Sequence, residues 1–290
     1  MGRSKVHATK EILTMRNHLK VTVLIENQAC KGLLAEHGLS LWIETGGLRI
    51  LFDTGQSAAF LTNAERLGLS LSSVDAVVLS HGHYDHSGGL AFLPGPTGLQ
   101  CFYLHPAAVL PRYSRREQPP HKAIGMPMAS ASLVDRLGTH VTWTSVATQI
   151  SKQIGITGSI RRTTDFEDVG GPFFLDPGCT TPDTIPDDQA LWIETKKGIV
   201  VLLGCAHAGV VNTLDHISRN LGEKHFHAVI GGLHLRDAGR DRIVQTAKAL
   251  NRYRVDLLAV GHCTGDSAIE CLAGQYDGNI EQLTVGTVPF

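Results

Sequence analysis

The sequence predicts an α/β protein in which two β-sheets pack against each other and helices cover the outside. Short apolar runs rich in Val, Ile and Leu recur along the chain and are bounded by Gly, which is typical of buried strands. The predicted strands cover residues 21–25, 39–43, 48–52, 76–79, 199–203, 228–230 and 257–260. Helices are predicted at 58–67, 210–220 and 240–253, and this mixture of strands and helices favours a layered α/β domain.

An internal repeat is the reason for expecting two sheets. The pentapeptide LWIET occurs at residues 41–45 and again at 191–195, and each copy is followed by a Gly and then by a predicted strand. Each half of the chain therefore contains a similar strand–turn–strand unit. This duplication predicts two related sheets that pack in one molecule.

The composition is that of a folded protein with a sizeable core. The chain has 290 residues, of which 42% are hydrophobic and 18% are charged. We expect one domain over residues 19–290, preceded by a flexible extension at 1–18. The formal net charge is −1 and the pI is about 6.9, so no overall basic field indicates a nucleic-acid partner.

Targeting features and cysteine usage favour a cytoplasmic protein without a membrane partner. Residues 1–18 lack the apolar segment of a secretory signal, and no stretch has the length of a transmembrane helix. The six cysteines include no C-x-x-C pair, which excludes a zinc-ribbon spacing and a dense disulfide framework. We expect mostly buried, reduced thiols, and the sequence does not indicate the oligomeric state.

The chain contains fifteen histidines, and several of them follow predicted strands. His81, His207, His234 and His262 each come shortly after the end of an apolar run. Ligands bind where the strands of α/β sheets end. If these strands lie side by side, the four histidines should therefore converge on one edge.

The densest group of candidate ligands lies between residues 81 and 86. His81 and His83 alternate and can reach one metal ion together, whereas Asp85 and His86 can serve a second ion. Nitrogen and oxygen ligands of this kind suit zinc, and also iron or manganese. The alternative is a polar surface turn in which the histidines coincide by chance.

The pattern His81-x-His83-x-Asp85-His86 resembles the signature of the metallo-β-lactamase superfamily. The resemblance implies an αββα sandwich, in which two packed mixed β-sheets are flanked by helices. It also implies that Asp53, within residues 51–55, braces the metal loop from behind the ligands. A plain turn is the alternative for Asp53.

Five further segments resemble one subgroup of that superfamily. Its members are 7,8-dihydropterin-6-yl-methyl-4-(β-D-ribofuranosyl)aminobenzene-5'-phosphate synthases and metal-dependent hydrolases. The segments are residues 36–40, 187–191, 204–209, 231–235 and 262–265, and the resemblance runs from about residue 21 to the end. It implies that His207 and His262 complete the set of metal ligands.

The chain departs from the superfamily pattern at the acid that usually bridges two metal ions, because no Gly-Asp pair stands at the expected place. His207 takes either the third-histidine position or the place of that acid. His234 is then a ligand or a hydrogen-bond donor to substrate, and we assign His234 and Asp85 as candidate catalytic residues. His37 precedes a strand and either faces the site or has a capping or core role.

Residues 94–128 hold seven prolines and several cations. We predict a lid-like insertion that contacts substrate, with a solvated surface loop as the alternative. Arg115, Arg116 and Lys122 are candidates to hold a phosphate or pyrophosphate, and Arg112 adds charge nearby.

These features predict a dinuclear metal-dependent hydrolase that acts on a small phosphoester or related substrate through a metal-bound hydroxide. The cofactors are two divalent ions, with zinc expected first and manganese or iron as alternatives. The resemblance leaves open a transferase that condenses a dihydropterin pyrophosphate with a ribofuranosylaminobenzene phosphate in methanopterin-type biosynthesis. A di-iron redox protein and a non-catalytic metal-binding module are the remaining alternatives.

Overall fold

The computed structural model describes residues 19–93, 101–222 and 225–287 of the chain. The extension predicted at 1–18 lies outside these residues. None of the helices in the described ranges combines the length and the apolar character needed to cross a membrane.

Strands and helices alternate over the described ranges, with pairs of adjacent strands in each half. The strands, β1 to β16, are Lys20–Ile25, Ser40–Thr45, Leu48–Phe52, Ala76–Val78, Cys101–Leu104, Tyr113–Ser114, Lys122–Ala123, Val141–Trp143, Thr148–Ser151, Ile154–Ile156, Phe173–Phe174, Leu191–Thr195, Gly198–Leu202, Phe226–Gly231, Val255–Val260 and Asn279–Gln282. The helices, α1 to α6, are Ala59–Arg66, Tyr84–Ser87, Met128–Leu137, Val210–Leu221, Arg240–Arg252 and Asp266–Ala273. The three helices predicted from the sequence are confirmed as α1, α4 and α5, and each of their ends agrees to within one residue.

Two mixed sheets form the centre of the molecule. The first has the strand order β1-β2-β3-β4-β5-β8, and the second has the order β16-β15-β14-β13-β12-β10-β9. In the second sheet, β13 to β16 run parallel, while β12 pairs with β13 in antiparallel fashion. A small separate sheet has the order β11-β6-β7.

Alternating side chains explain why the sheets pack in layers. Along β13, Ile199 and Val201 contact helices on the outside, whereas Val200 and Leu202 face the first sheet. Both faces of such a strand are buried, which is why its sequence is a continuous apolar run. Helices α1 and α3 cover the outer face of the first sheet. The fold is therefore the predicted αββα sandwich.

The repeated LWIET pentapeptide forms equivalent hairpins in the two sheets. Its first copy lies in β2 and pairs with β3, and its second copy is β12 and pairs with β13. The registers correspond, because Trp42 lies opposite Leu51 and Trp192 lies opposite Val201. The prediction of two similar strand–turn–strand units is confirmed.

The histidine-bearing strand ends meet across the two sheets rather than along one edge. Strands β13, β14 and β15 are neighbours and lead to His207, His234 and His262. The fourth strand, β4, lies in the first sheet and leads to His81. The condition that all four strands lie side by side is therefore not met, although the side chains converge: the rings of His81 and His207 are 4.8 Å apart.

The stretch predicted as one insertion at 94–128 is divided in the structure, and residues 94–100 lie outside the described ranges. Strand β5 at its start pairs with β4 and β8 inside the first sheet. Strands β6 and β7 pair with each other, and β6 also pairs with β11. The predicted insertion was too wide, because it included the short core strand β5, whose Phe102 and Leu104 are buried. The prolines and glycines on either side had suggested a continuous loop.

Candidate metal centre

The loop between β4 and α2 carries the densest group of predicted ligands. It passes so close to residues 106–109 that a Cβ at Gly82 would lie 1.9 Å from the carbonyl oxygen of Ala108, so no larger residue fits there. The backbone N–H of Gly82 donates to Asp187 Oδ2 at 2.8 Å. These contacts fix the backbone between His81 and His83.

His81, His83 and His207 form the first group of candidate ligands. One donor atom from each lies within 4.8 Å of the others, and all three residues are buried. His81 Nε2 is 3.0 Å from His83 Nδ1. His207 joins these two histidines, as a residue at the third-histidine position would.

Asp85, His86 and His262 form the second group, with His37 at its outer side. Asp85 Oδ2 is 3.9 Å from His86 Nε2 and 3.5 Å from His262 Nε2. The two Nε2 atoms of His86 and His262 are 3.2 Å apart. His37 is half exposed, and its Nε2 lies 3.2 Å from Asp85 Oδ2.

Asp53 connects the two groups from behind. His86 Nδ1 donates to Asp53 Oδ2 at 2.7 Å, and the hydroxyl of Ser80 donates to the same oxygen at 2.6 Å. His81 Nδ1 lies 2.9 Å from that hydroxyl oxygen, which can accept its proton. One buried carboxylate thus orients a histidine of each group with Nε2 directed into the site, which is the arrangement common behind metal ligands.

The first group has the properties that a divalent cation requires. His207 Nδ1 donates to the carbonyl of Val169 at 2.8 Å, and Nε2 is buried and has no hydrogen-bond partner in the part of the chain that the structure describes. A tetrahedral ion with metal–nitrogen bonds of about 2.0–2.1 Å has ligands about 3.3 Å apart, close to the spacing of His81 and His83. Burial holds the pKa of all three imidazoles well below the usual range, so they are in the neutral form that binds metal.

The second group carries the negative charge of the centre. Burial opposes ionisation of Asp85, but His86, His37 and His262 outweigh it and hold its pKa well below the usual range. Burial lowers the pKa of His262 to about 4. Burial also disfavours charge on His86, yet the carboxylates of Asp53 and Asp85 raise its pKa to about 9. An ion bound at His86 must therefore displace a proton.

The two groups open into a cleft of about 320 Å³. The Phe173 ring forms one wall and lies 5.3 Å from the ring of His83 and 5.4 Å from that of His207. Lys122 and Arg236 supply exposed cations at the cleft. The cleft thus has candidate metal ligands at its floor and cations at its mouth.

The cations predicted in the 94–128 stretch have three different positions. Lys122 lines the cleft, and its Nζ donates to the Tyr84 hydroxyl at 2.7 Å. Arg115 and Arg116 are not among the residues that line it. Arg115 donates to the carbonyl of Cys179 at 2.6 Å and stacks over Phe174, and the backbone N–H of Arg116 donates to His121 Nδ1.

Arg112 is buried, so the expectation that its charge helps to bind phosphate was wrong. Its Nε donates to Asp183 at 2.7 Å, and its two terminal nitrogens donate to Asp187. Both carboxylates need a cation because they lie in the protein interior. The guanidinium therefore has a structural role behind the metal loop.

The sequence interpretation missed several residues of the cleft. Cys205, Cys263, Phe173 and Arg236 line it, together with predicted residues such as His37 and His234. A signal existed for the cysteines, since Cys205 lies two residues before His207 and Cys263 directly follows His262. No pattern singled out Phe173, which lies on the two-residue strand β11 of the small third sheet.

Comparisons with known proteins agree with this geometry. The family model of the metallo-beta-lactamase superfamily matches residues 34–262. Over 285 residues, the chain is 30% identical to the 7,8-dihydropterin-6-methyl-4-(beta-D-ribofuranosyl)-aminobenzene-5'-phosphate synthase of Methanocaldococcus jannaschii, and the match covers 94% of this chain and 96% of that protein.

Solved structures share the fold. Tm1679, a metal-dependent hydrolase of the beta-lactamase superfamily, matches with a TM-score of 0.80 and 30% identity and covers 94% of this chain and 99% of its own. The metallo-beta-lactamase fold protein YhfI from Bacillus subtilis has a TM-score of 0.56 at 17% identity, with 94% and 99% covered, and this likeness concerns the fold alone. The predicted fold class and family resemblance are confirmed.

Proposed function

Since the chain belongs to the metallo-β-lactamase superfamily, we propose that it is a metal-dependent hydrolase of a small phosphoester or related phosphorylated compound. The observation that carries the proposal is the convergence of two groups of metal-type ligands in one cleft that also has cations at its mouth. Reduced Cys205 and Cys263 accord with the cytoplasmic location that we propose for the protein.

The ligand assignment follows the two groups. His81, His83 and His207 would hold one divalent ion, and Asp85, His86 and His262 would hold a second, with zinc as the first candidate. The chemistry that such ions supply is Lewis acidity, which lowers the pKa of water from about 15.7 towards about 7 and polarises a phosphoryl oxygen.

The protein's own groups position the substrate and handle protons. Lys122 Nζ and the guanidinium of Arg236 can bind the phosphoryl oxygens that do not react. The Asp85 carboxylate stays ionised, so it can accept a hydrogen bond from the attacking water and orient it. Despite burial, the pKa of His234 is raised, chiefly by Cys263 and the Gly170 carbonyl, so this imidazole can donate a hydrogen bond to substrate when it holds no metal ion. Phe173 covers the floor and restricts access of bulk water.

A transferase is the second candidate, and the similarity to the synthase over almost the whole chain favours it. In that reaction a dihydropterin pyrophosphate would lose diphosphate as an aromatic carbon or amine of the ribofuranosylaminobenzene phosphate attacks it. The cations of the cleft would then bind the leaving diphosphate, and the Phe173 ring could pack against a flat pterin. The same site would be used, but the nucleophile would be the partner molecule instead of water, and a C–O bond to the leaving diphosphate would break instead of a P–O bond.

Metal content and turnover measured together test the proposal. The purified protein should hold about two divalent ions per chain and should hydrolyse a member of a phosphodiester and phosphomonoester panel. His83→Ala should lose metal and turnover while its circular dichroism spectrum stays unchanged, because the side chain lies at the cleft and not in the core. His121→Ala, which changes a histidine outside the cleft, is the matched control.

Each result separates the candidates. Diphosphate release that requires both the pterin pyrophosphate and its ribofuranosylaminobenzene partner, without phosphoester turnover, would favour the synthase. Full metal loading and full activity in His83→Ala would refute the ligand assignment. A folded wild-type protein that binds no divalent ion would refute both candidates.

A further inference from the structure

A third group of donor atoms lies beside the two groups already described. Cys205, His234 and Cys263 each offer a donor atom within 4.8 Å of the other two. Both cysteines are buried, with 3% and 6% of their surface exposed. Neither thiol is needed for the two groups of imidazole and carboxylate ligands.

The topology of the second sheet explains why these residues meet. Cys205 follows β13, His234 follows β14 and Cys263 follows β15, and these strands are parallel neighbours. Their carboxyl ends therefore deliver the three side chains to one edge of the sheet. Gly232 leaves room there, since a Cβ at this position would lie 2.5 Å from Cys263 Sγ.

The backbone around each donor is held in an unfavourable conformation. His234 has φ +49°, while Ala206 beside Cys205 has φ +56° and His262 beside Cys263 has φ +52°. Left-handed backbone at residues other than Gly is strained and is retained where a precise geometry is useful. All three donors are thus presented by strained backbone.

His234 has a ring nitrogen available for a ligand. Its Nε2 lies 3.1 Å from the carbonyl oxygen of Gly170 and donates to it. Its Nδ1 is buried and forms no hydrogen bond of regular geometry among the described residues, although the Cys263 thiol lies nearby. A buried polar atom that is poorly paired is costly, and a cation bound between it and the two sulfur atoms would satisfy it.

We infer that Cys205, His234 and Cys263 form a further cation site, selective for a soft divalent ion of the zinc class. Two thiolates and one imidazole favour zinc over magnesium or manganese, which prefer oxygen ligands. Each thiol gives its proton to solvent when the sulfur–metal bond forms, so the two thiolates balance the charge of the ion. Three protein ligands at the cleft leave a fourth position open.

Cys205 joins this site to the rest of the centre. Its Sγ is 3.2 Å from His86 Nε2, and it also forms a possible ligand group with His81 and His86. The thiolate can therefore be shared between the new site and the imidazole groups. Cys205 is thus close to His81 of the first group and to His86 of the second, in a chain that lacks the usual bridging acid.

Cobalt titration of the reduced, metal-free protein tests the inference, because Co²⁺ replaces zinc and reports thiolate ligands directly. Wild type should develop a near-ultraviolet charge-transfer band characteristic of thiolate–cobalt bonds. Cys263→Ser should lose most of this band and bind about one ion fewer per chain. Cys271→Ser, which changes a thiol on α6, is the matched control and should retain the full band.

The outcomes distinguish this inference from the proposed function. Bound cobalt without the thiolate band would refute the cysteine site and leave the imidazole groups intact. A band lost in Cys205→Ser but unchanged in Cys263→Ser would place one thiolate in the imidazole centre and would also refute a separate site. Failure to bind any cobalt would contradict the proposed function as well.

Thiol labelling of the wild-type protein gives a second test that does not depend on the folding of a variant. Zinc should slow alkylation of Cys205 and Cys263, as read by mass spectrometry of the digested protein. The exposed Cys30 should react equally with and without zinc. If zinc leaves the alkylation rates of Cys205 and Cys263 unchanged, as it should that of Cys30, the inference is overturned.

Discussion

At the scale of single residues, Asp53 has the widest influence on the candidate centre. Its two oxygens accept from the Ser80 backbone and hydroxyl and from His86, and Asp53 itself has left-handed backbone with φ +57°. The carboxylate is fully buried, and these hydrogen-bond donors offset the cost of removing its charge from water. Its removal therefore affects one ligand in each group.

Asp53→Asn should weaken metal binding by about 10- to 100-fold, because an amide cannot accept from all of these donors at once. The metal dissociation constant, measured by competition with a chelating dye, is the readout. Asp135→Asn changes an exposed carboxylate on α3 and should leave the constant unchanged. Equal constants for Asp53→Asn and wild type would mean that the two histidines are oriented by other contacts.

At the scale of elements, the metal loop depends on an ion-pair network that the sequence did not reveal. Arg112 bridges Asp183 and Asp187, and Asp187 accepts from the backbone of Gly82. The ion pairs of Arg112 with Asp183 and Asp187 join the segment after β5 to the segment before β12. Contacts so distant in sequence have no local pattern, which is why Arg112 was interpreted as a substrate-binding cation.

Arg112→Met should lower the free energy of unfolding by about 3–5 kcal/mol, because two buried carboxylates lose their cation. Urea denaturation followed by circular dichroism measures the change. Arg116→Met, in the same segment but exposed, should change it by less than about 0.5 kcal/mol. Similar stabilities for the two variants would show that the buried network contributes little.

The elements that could be predicted are those whose pattern is local. Helices α1, α4 and α5 and the LWIET hairpins carry strong periodicity or repetition, and all were found. Helix α3 and strand β5 were missed because they lie among prolines and glycines, where flanking residues suggested a loop. The histidines after β4, β13, β14 and β15 were identified by their position after apolar runs, whereas Phe173 and Arg236 had no such signal.

At the scale of the whole molecule, the candidate ligands join the two sheets. His81, His83, Asp85 and His86 follow the first sheet, whereas His207 and His262 follow the second. An ion bound by both sets links the two halves of the sandwich. Its binding energy is then available only to the folded protein.

Metal removal should therefore destabilise the whole fold. Zinc at 100 times its dissociation constant should raise the free energy of unfolding by about 2.7 kcal/mol for each site, and a chelator should reverse this. Thermal denaturation with and without zinc provides the measurement. The zinc effect should be smaller in His83→Ala, and an undiminished effect there would indicate that zinc stabilises the protein at another place.

The distribution of ligands over both sheets also has a consequence for biosynthesis. A ribosome produces His81, His83, Asp85 and His86 well before it reaches His207 and His262. During that interval the nascent chain would carry only part of the proposed ligand set and would bind an ion weakly and without selectivity. Under the proposed assignment, loading would wait until the second sheet has docked, so the supply of free metal would matter mainly after translation has passed β15.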